Sequence, residues 1–361
     1  MFHKMKNIII GNGVNIQFGG YDYQNDNIII RAMHKIESGD FCNEVYTSEI
    51  GDWLKFIFQE FSCFLNGDYD RFAVASDERQ ELESFKIRYS GKAEIYEIGF
   101  EDFFLMNELC CRKNKINNPQ RFDIQELLRR LFLDSIYNNG KINDIHKNFP
   151  KDFIEYIKSF DNVFTTNYDK NIELSINRDL FYLHGAFHVL DDLYNPNGYR
   201  NQLPDRPADK VHAIKGYEHA FSTALTGSSG FFKQFTAENA ENTNAALKKF
   251  VAGMNHDPKV AKEIESWKGS ENYIIRNFYE AIKLKQKNPD LQFPIVYAFR
   301  KLNEIKGLVT FIGLSPYNDT HIFSSIRDNL LKFPTSERVD LWENQNRISS
   351  GKIEFKLLYL S

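Results

Sequence analysis

Four short apolar runs, each ended by glycine or polar residues, constrain this chain more than any other feature. The first, Asn7 to Ile10, carries three consecutive isoleucines and stops at Gly11-Asn12-Gly13. The others are Asn162 to Thr166 (NVFTT), Leu180 to Leu183 (LFYL) and Leu308 to Ile312 (LVTFI). A strand that is apolar on both faces has to be covered on both faces, which is the situation of a parallel sheet in an α/β protein. In open α/β sheets, ligands bind beyond the carboxyl ends of the strands. Here those ends carry Gly11-Asn12-Gly13, Asn167-Tyr168-Asp169, His184-Gly185 and Gly313-Leu314-Ser315. The expected fold is therefore α/β and Rossmann-like, a mostly parallel sheet with large helical insertions.

The spacing of the runs sets the organisation: one domain over residues 1–361, with a helical insertion at 31–150 and a loop and helical insertion at 189–294. In the first insertion, Trp53 to Leu65 predicts a helix with large apolar residues on most faces. Phe122 to Tyr137 predicts a cleaner amphipathic one, with Ile124, Leu127, Leu128, Leu131 and Phe132 at helical spacing. Phe153 to Phe160 reads as another helix and Glu94 to Ile98 as a strand. In the second, the Asn-, Pro-, Asp- and Gly-rich part through Tyr217 reads as a long ordered loop. Asn244 to Gln286 reads as two helices parted at Gly269-Ser270. The tail after Pro334 reads as a helix and a last strand, Ile353 to Leu360.

Composition removes several classes of function. The net charge is −4 and the basic residues are scattered, so a phosphate-tracking stripe is absent and no nucleic-acid partner is expected. The four cysteines, Cys42, Cys63, Cys110 and Cys111, include no C-x-x-C pair, which leaves neither a secretory disulfide framework nor a zinc ribbon. No metal is expected. The apolar run in MFHKMKNIII is too short for a signal peptide and no stretch reaches membrane-spanning length, so the expected compartment is the cytoplasm.

Each strand end offers chemistry beside a plainer structural role. A Gly-x-Gly after a buried strand lets backbone N–H groups approach a phosphate, but it also simply makes a tight turn, and Gly19 comes too late for the dinucleotide fingerprint. The Asn167 amide can hold a water or a ribose hydroxyl. The Asp169 carboxylate can accept a carboxamide N–H or cap a helix. His184 stands where a side chain can exchange protons, whereas His188 reads as structural. After the last run, Gly313 and Ser315 suit a ribose or phosphate contact, Asp319 suits hydroxyls, and His321 is a further candidate ligand contact.

In this order, Gly11-Asn12-Gly13-Val14-Asn15, Thr165 to Asp169, His184-Gly185 and Gly313 to Ser315 resemble the motifs of the sirtuin-like family, particularly its bacterial defence-associated members. Phe100 to Phe104 (FEDFF) resembles a stretch common in the same proteins. The resemblance implies NAD as the substrate, with Asn167 and His184 catalytic. It implies cofactor contacts from Gly11, Asn12, Gly13, Asn15, Thr166, Asp169, Gly313, Ser315 and Asp319. It further implies cleavage of the nicotinamide–ribose bond to give nicotinamide and ADP-ribose, in defence against phage. Control by homo-oligomerisation or a regulatory partner protein accompanies that reading. Asn12 and Asn15 stand where the family usually has alanine and serine. The missing four-cysteine ribbon argues against the alternative of a protein deacylase, and a non-catalytic NAD or ADP-ribose sensor is the other alternative.

Overall fold

The first of the apolar runs becomes the centre of the sheet. The computed structural model describes residues 5–89, 93–117, 120–190, 213–224, 230–290, 297–314, 319, 321–323, 325–326, 338–343 and 346–352. Strands β1 (Lys6–Ile10), β2 (Asn162–Thr165), β3 (Phe181–Tyr182) and β4 (Leu308–Ile312) form one parallel sheet in the order β3-β2-β1-β4. Successive side chains on a strand point to opposite faces, and β1 uses both. Ile8 and Ile10 pack with Val163, Ile312, Phe153 and Ile157 on one face. Ile9 packs with Phe164, Val309, Phe311, Phe299 and Leu302 on the other. All three isoleucines are fully buried. Each is worth about 1.5–3 kcal/mol of burial.

The helices of the first half are α1 (Gly13–Gly19), α2 (Asn25–Ser38), α3 (Glu49–Gln59), α4 (Phe61–Leu65), α5 (Ser76–Arg88), α6 (Asp102–Lys113), α7 (Gln120–Tyr137), α8 (Lys151–Lys158) and α9 (Asn171–Ile176). The second half adds α10 (Gly230–His256), α11 (Pro258–Ser266), α12 (Tyr273–Lys287) and α13 (Tyr297–Glu304). Helices α1 and α8 cover the Ile8 and Ile10 face, while α13 covers the other. The helices of the first insertion build a second core around Leu54, Phe64, Phe85, Phe103, Leu128 and Phe132. The apolar face expected on α7 is present: Leu128, Leu131 and Phe132 are fully buried, with Ile124 and Leu127 packed alongside.

Several boundaries differ from the sequence reading. Trp53 to Leu65 is two helices meeting at Glu60. Glu94 to Ile98 is not a strand but a 3-10 turn at Ile95–Glu97, closed by the Glu97 carboxylate accepting from the Glu94 N–H at 2.7 Å. The helical part of the second insertion breaks a further time at Asp257-Pro258. Asp257 accepts from the Lys259 N–H at 2.8 Å, and Pro258 occupies the first helical turn, where its missing N–H costs nothing. Residues 338–352 contain an antiparallel pair, β5 (Arg338–Glu343) and β6 (Asn346–Lys352), instead of the expected helix. The strand expected at Ile353 to Leu360 and most of the long loop, residues 191–212, lie outside the described residues. Among the described residues, no helix is long and apolar enough to cross a membrane.

A buried ionic cluster joins the two insertions behind the sheet edge. Asp134 on α7 accepts from Lys35 Nζ at 2.7 Å and from Tyr46 Oη at 2.6 Å, and meets His219 Nε2 at 3.0 Å. Burial alone would raise its carboxyl pKa, but the contacts to His219, Lys35 and Tyr46 outweigh burial and hold it below the usual value. The His219 ring also stacks on Tyr137 at 3.9 Å, and Arg129 donates to the carbonyls of Ala220 and Ala224. Residues 217–224 are thereby pinned against α7. From there the Thr223 Oγ1 accepts from the Ala186 N–H at 3.1 Å, just past His184-Gly185.

Removing one partner of a buried ion pair strands the other in low dielectric. We expect Asp134→Asn to destabilise the fold by roughly 3–5 kcal/mol at neutral pH. The carboxylate's folded-state pKa is depressed, so its contribution is complete above about pH 4 and is lost as pH falls through the folded value. Urea unfolding at several pH values checks this. A variant as stable as wild type at pH 7 contradicts it.

Candidate active site

Register brings the four strand ends to one level. Ile10 pairs with both Thr165 and Ile312, and Thr165 pairs with Tyr182. The chain therefore leaves the sheet at Gly11, Thr166, Leu183 and Gly313 along one edge, as the sequence pattern predicts. The sheet changes direction of growth between β1 and β4, the position at which ligands of open α/β sheets gather.

At that switch point the two glycine loops touch. The Gly11 N–H donates to the Ile312 carbonyl and the Gly13 N–H to the Gly313 carbonyl, both at 2.8 Å, while the Val14 N–H donates to the Gly11 carbonyl. A Cβ on Gly11 would lie 2.5 Å from the Gly313 carbonyl oxygen, and one on Gly13 would lie 2.6 Å from the Gly313 Cα. Gly313 itself has φ +68°. These three glycines permit a backbone-to-backbone approach no side chain would allow. The Gly11 and Gly13 amides are spent on that contact and the Val14 amide closes the turn onto Gly11, so the tight-turn role of Gly-x-Gly is realised here.

Asp169 is a structural tie. It is buried, and its Oδ2 accepts from Asn15 Nδ2 at 2.7 Å. Its Oδ1 accepts from the backbone N–H of Asn171, which opens α9, and from the Asn171 side chain. Burial pushes the carboxyl pKa up, opposed by these amide donors. Asp169 thus holds the first N–H of α9 and fastens the turn after β1 to the turn after β2. Asn171, which the sequence reading did not single out, continues the tie by donating to the Ile142 carbonyl and accepting from the His146 N–H. Asn12 is exposed and donates to the Tyr23 carbonyl.

Asn167 behaves differently from these neighbours. Its backbone N–H is held by Thr165 Oγ1, and the Thr166 N–H donates to the Ile10 carbonyl. The Asn167 side chain is only 6% exposed, yet neither Oδ1 nor Nδ2 has a hydrogen-bond partner among the described residues. The Asn15 Oδ1 is likewise buried without one. A buried amide left without partners costs about 1–3 kcal/mol per group, and such groups mark places where a ligand or water completes the structure. Tyr168, next in the chain, is buried so that its phenol pKa rises well above the usual value; the carboxylates of Glu101 and Asp319 push it the same way.

His184 does not stand alone. Its Nε2 lies 2.7 Å from Nε2 of His321, with both rings buried. The rings are stacked at 4.9 Å, with Phe299 beside them. A contact this short between two ring nitrogens needs one proton between them, so one ring donates and the other accepts. Asp319 completes the group, a carboxylate oxygen lying with one ring nitrogen of each histidine inside 4.8 Å of one another. The Asp319 carbonyl also accepts from the Ile322 N–H, which starts the helical turn bearing His321. Asp319 and His321, which follow β4 in the sequence, thus stand beside the end of β3. Behind His184, Gly185 has φ +75°, and a Cβ there would meet the Thr223 carbonyl at 1.9 Å. His188 stays outside the group, 3.8 Å from Glu173. Ser315 lies outside the described residues.

No protein-family profile, curated protein or solved structure matches this chain.

The glycine contact carries its own test. A methyl group on Gly313 meets the Val14 nitrogen at 2.7 Å in a backbone conformation that disfavours side chains. We expect Gly313→Ala to lose roughly 2–5 kcal/mol from strain and overpacking together. A denaturant midpoint unchanged from wild type would show that the two loops do not pack in this way.

Proposed function

We propose that this chain is a Rossmann-like, sirtuin-like NAD glycohydrolase that cleaves the nicotinamide–ribose bond. The observation that carries the reading is Asn167, a buried amide at the carboxyl end of β2 with both polar atoms unclaimed among the described residues. It lies on the strand-end edge that also carries His184, Thr166 and the glycine turn. An amide offering both an acceptor and a donor suits a ribose hydroxyl or the attacking water.

The reaction needs little acid–base help. The carbon–nitrogen bond breaks with its electron pair going to nicotinamide, which departs neutral and leaves an oxocarbenium-like ribose. Water adds to the anomeric carbon and gives up a proton, so NAD and water become nicotinamide, ADP-ribose and a proton. Holding the ring and admitting one oriented water does much of the work. Asn167 positions that water or the ribose. His184 serves the ribose hydroxyls as hydrogen-bond partner or base, drawing on the proton it shares with His321. Asp169 acts indirectly, by fixing the turn on which Asn167 sits. An enzyme that consumes cellular NAD has to be restrained, which fits a cytoplasmic protein of phage defence held in check by self-association or a partner protein.

The test is NAD consumption by purified protein, with product identification, beside Asn167→Ala and His184→Ala. We expect wild type to release nicotinamide and ADP-ribose, and each variant to be slower by at least about 100-fold. NAD that binds without turnover under all conditions, with candidate partners included, would replace the enzyme with a sensor.

A further inference from the structure

We propose that His184, His321 and Asp319 form a binding site for a divalent transition-metal ion of the zinc type, and that its occupation switches the proposed glycohydrolase off. The second half of this statement rests on the catalytic role proposed for His184; the first half does not.

The three side chains come from separate places in the chain, the end of β3 and the segment after β4, and converge on one point. Two imidazoles and one carboxylate form a donor set suited to zinc and its neighbours in the first transition row. Both histidines are buried and Asp319 is part-exposed, so one side of the group reaches outward. Phe299 and the helical turn at His321 supply the apolar surroundings that hold the rings in place. With neutral imidazoles, a dication here keeps one positive charge after Asp319, leaving a fourth position for water, hydroxide or an anionic group.

The 2.7 Å separation of the two Nε2 atoms is that of a proton-bridged pair. In a tetrahedral site with zinc–nitrogen bonds of 2.0–2.1 Å, the nitrogens stand about 3.3 Å apart. Binding therefore puts the metal in place of the shared proton, which moves to Nδ1 of the ring that carried it, and opens the pair by about 0.6 Å. A metal on Nε2 of His184 fixes the ring's proton on Nδ1, so neither ring nitrogen is left with a lone pair to act as a base. The same ion that stabilises the apposed loops would thus silence the histidine. This departs from the expectation, drawn from the cysteine pattern, that the chain holds no metal.

The test uses the full chain, stripped with a chelator and titrated with Co²⁺ alone. We expect the ligand-field absorption of four-coordinate cobalt, saturating at a single ion per chain and displaced by zinc. His321→Gln and Asp319→Asn should each weaken binding by at least about 10–100-fold, the cost of losing even an outer-shell partner. His188→Ala, outside the group, should leave binding unchanged. Zinc should suppress NAD cleavage by wild type, with recovery on chelation, and the zinc concentration needed should rise by at least about tenfold in His321→Gln. A wild-type chain without the cobalt band, or a band untouched in both ligand variants, overturns the site. NAD cleavage unaffected by saturating zinc overturns the switch. A band that depends on both residues in a chain that never cleaves NAD leaves the site standing and sinks the glycohydrolase instead.

Discussion

Everything at the candidate site depends on the loops after β1 and β4 meeting backbone to backbone. Gly11 and Gly13 can lie against Gly313 only because none of the three carries a Cβ. That contact joins the ends of β1 and β4 at the switch point of the sheet. With bulkier residues there, the loops would have to separate. The glycines therefore act first through packing, and the positions of the reactive groups follow from it.

Around that contact, polar groups divide into those the protein satisfies itself and those it leaves for something else. Asp169, Asn15 and Asn171 bind one another and fasten neighbouring loops. Lys35, Asp134, Tyr46 and His219 do the same for the two insertions. These ties remove freedom from the backbone that carries Asn167 and Gly185. Asn167 differs from these neighbours in that both polar atoms of its buried side chain lack a hydrogen-bond partner among the described residues.

Much of this was legible in the residues. Runs such as NIII and LVTFI are apolar enough to be covered on both faces, so their strands belong to one parallel sheet whose strand ends share an edge. The amphipathic stripe of α7 was equally plain. The misread elements failed for local physical reasons. Glu94 to Ile98 has strand-like composition, but a glutamate three residues on closes it into a turn. The break at Asp257-Pro258 is a cap signal that lay inside a helical composition. Asp169 offered two roles, ligand contact or cap, and its ties to Asn15 and Asn171 are visible only in the structure.

What the sequence determined by itself was the kind of sheet and the identity of the groups at its edge, because apolar periodicity and chain punctuation are local properties. What only the tertiary structure decided was which of those groups meet. His184 and His321 are 137 positions apart and carry no mutual signal in the chain. Lys35 and Asp134 likewise join across 99 positions. Such pairings are products of strand order and loop crossing, which bring distant residues within hydrogen-bond distance through contacts that neither residue encodes.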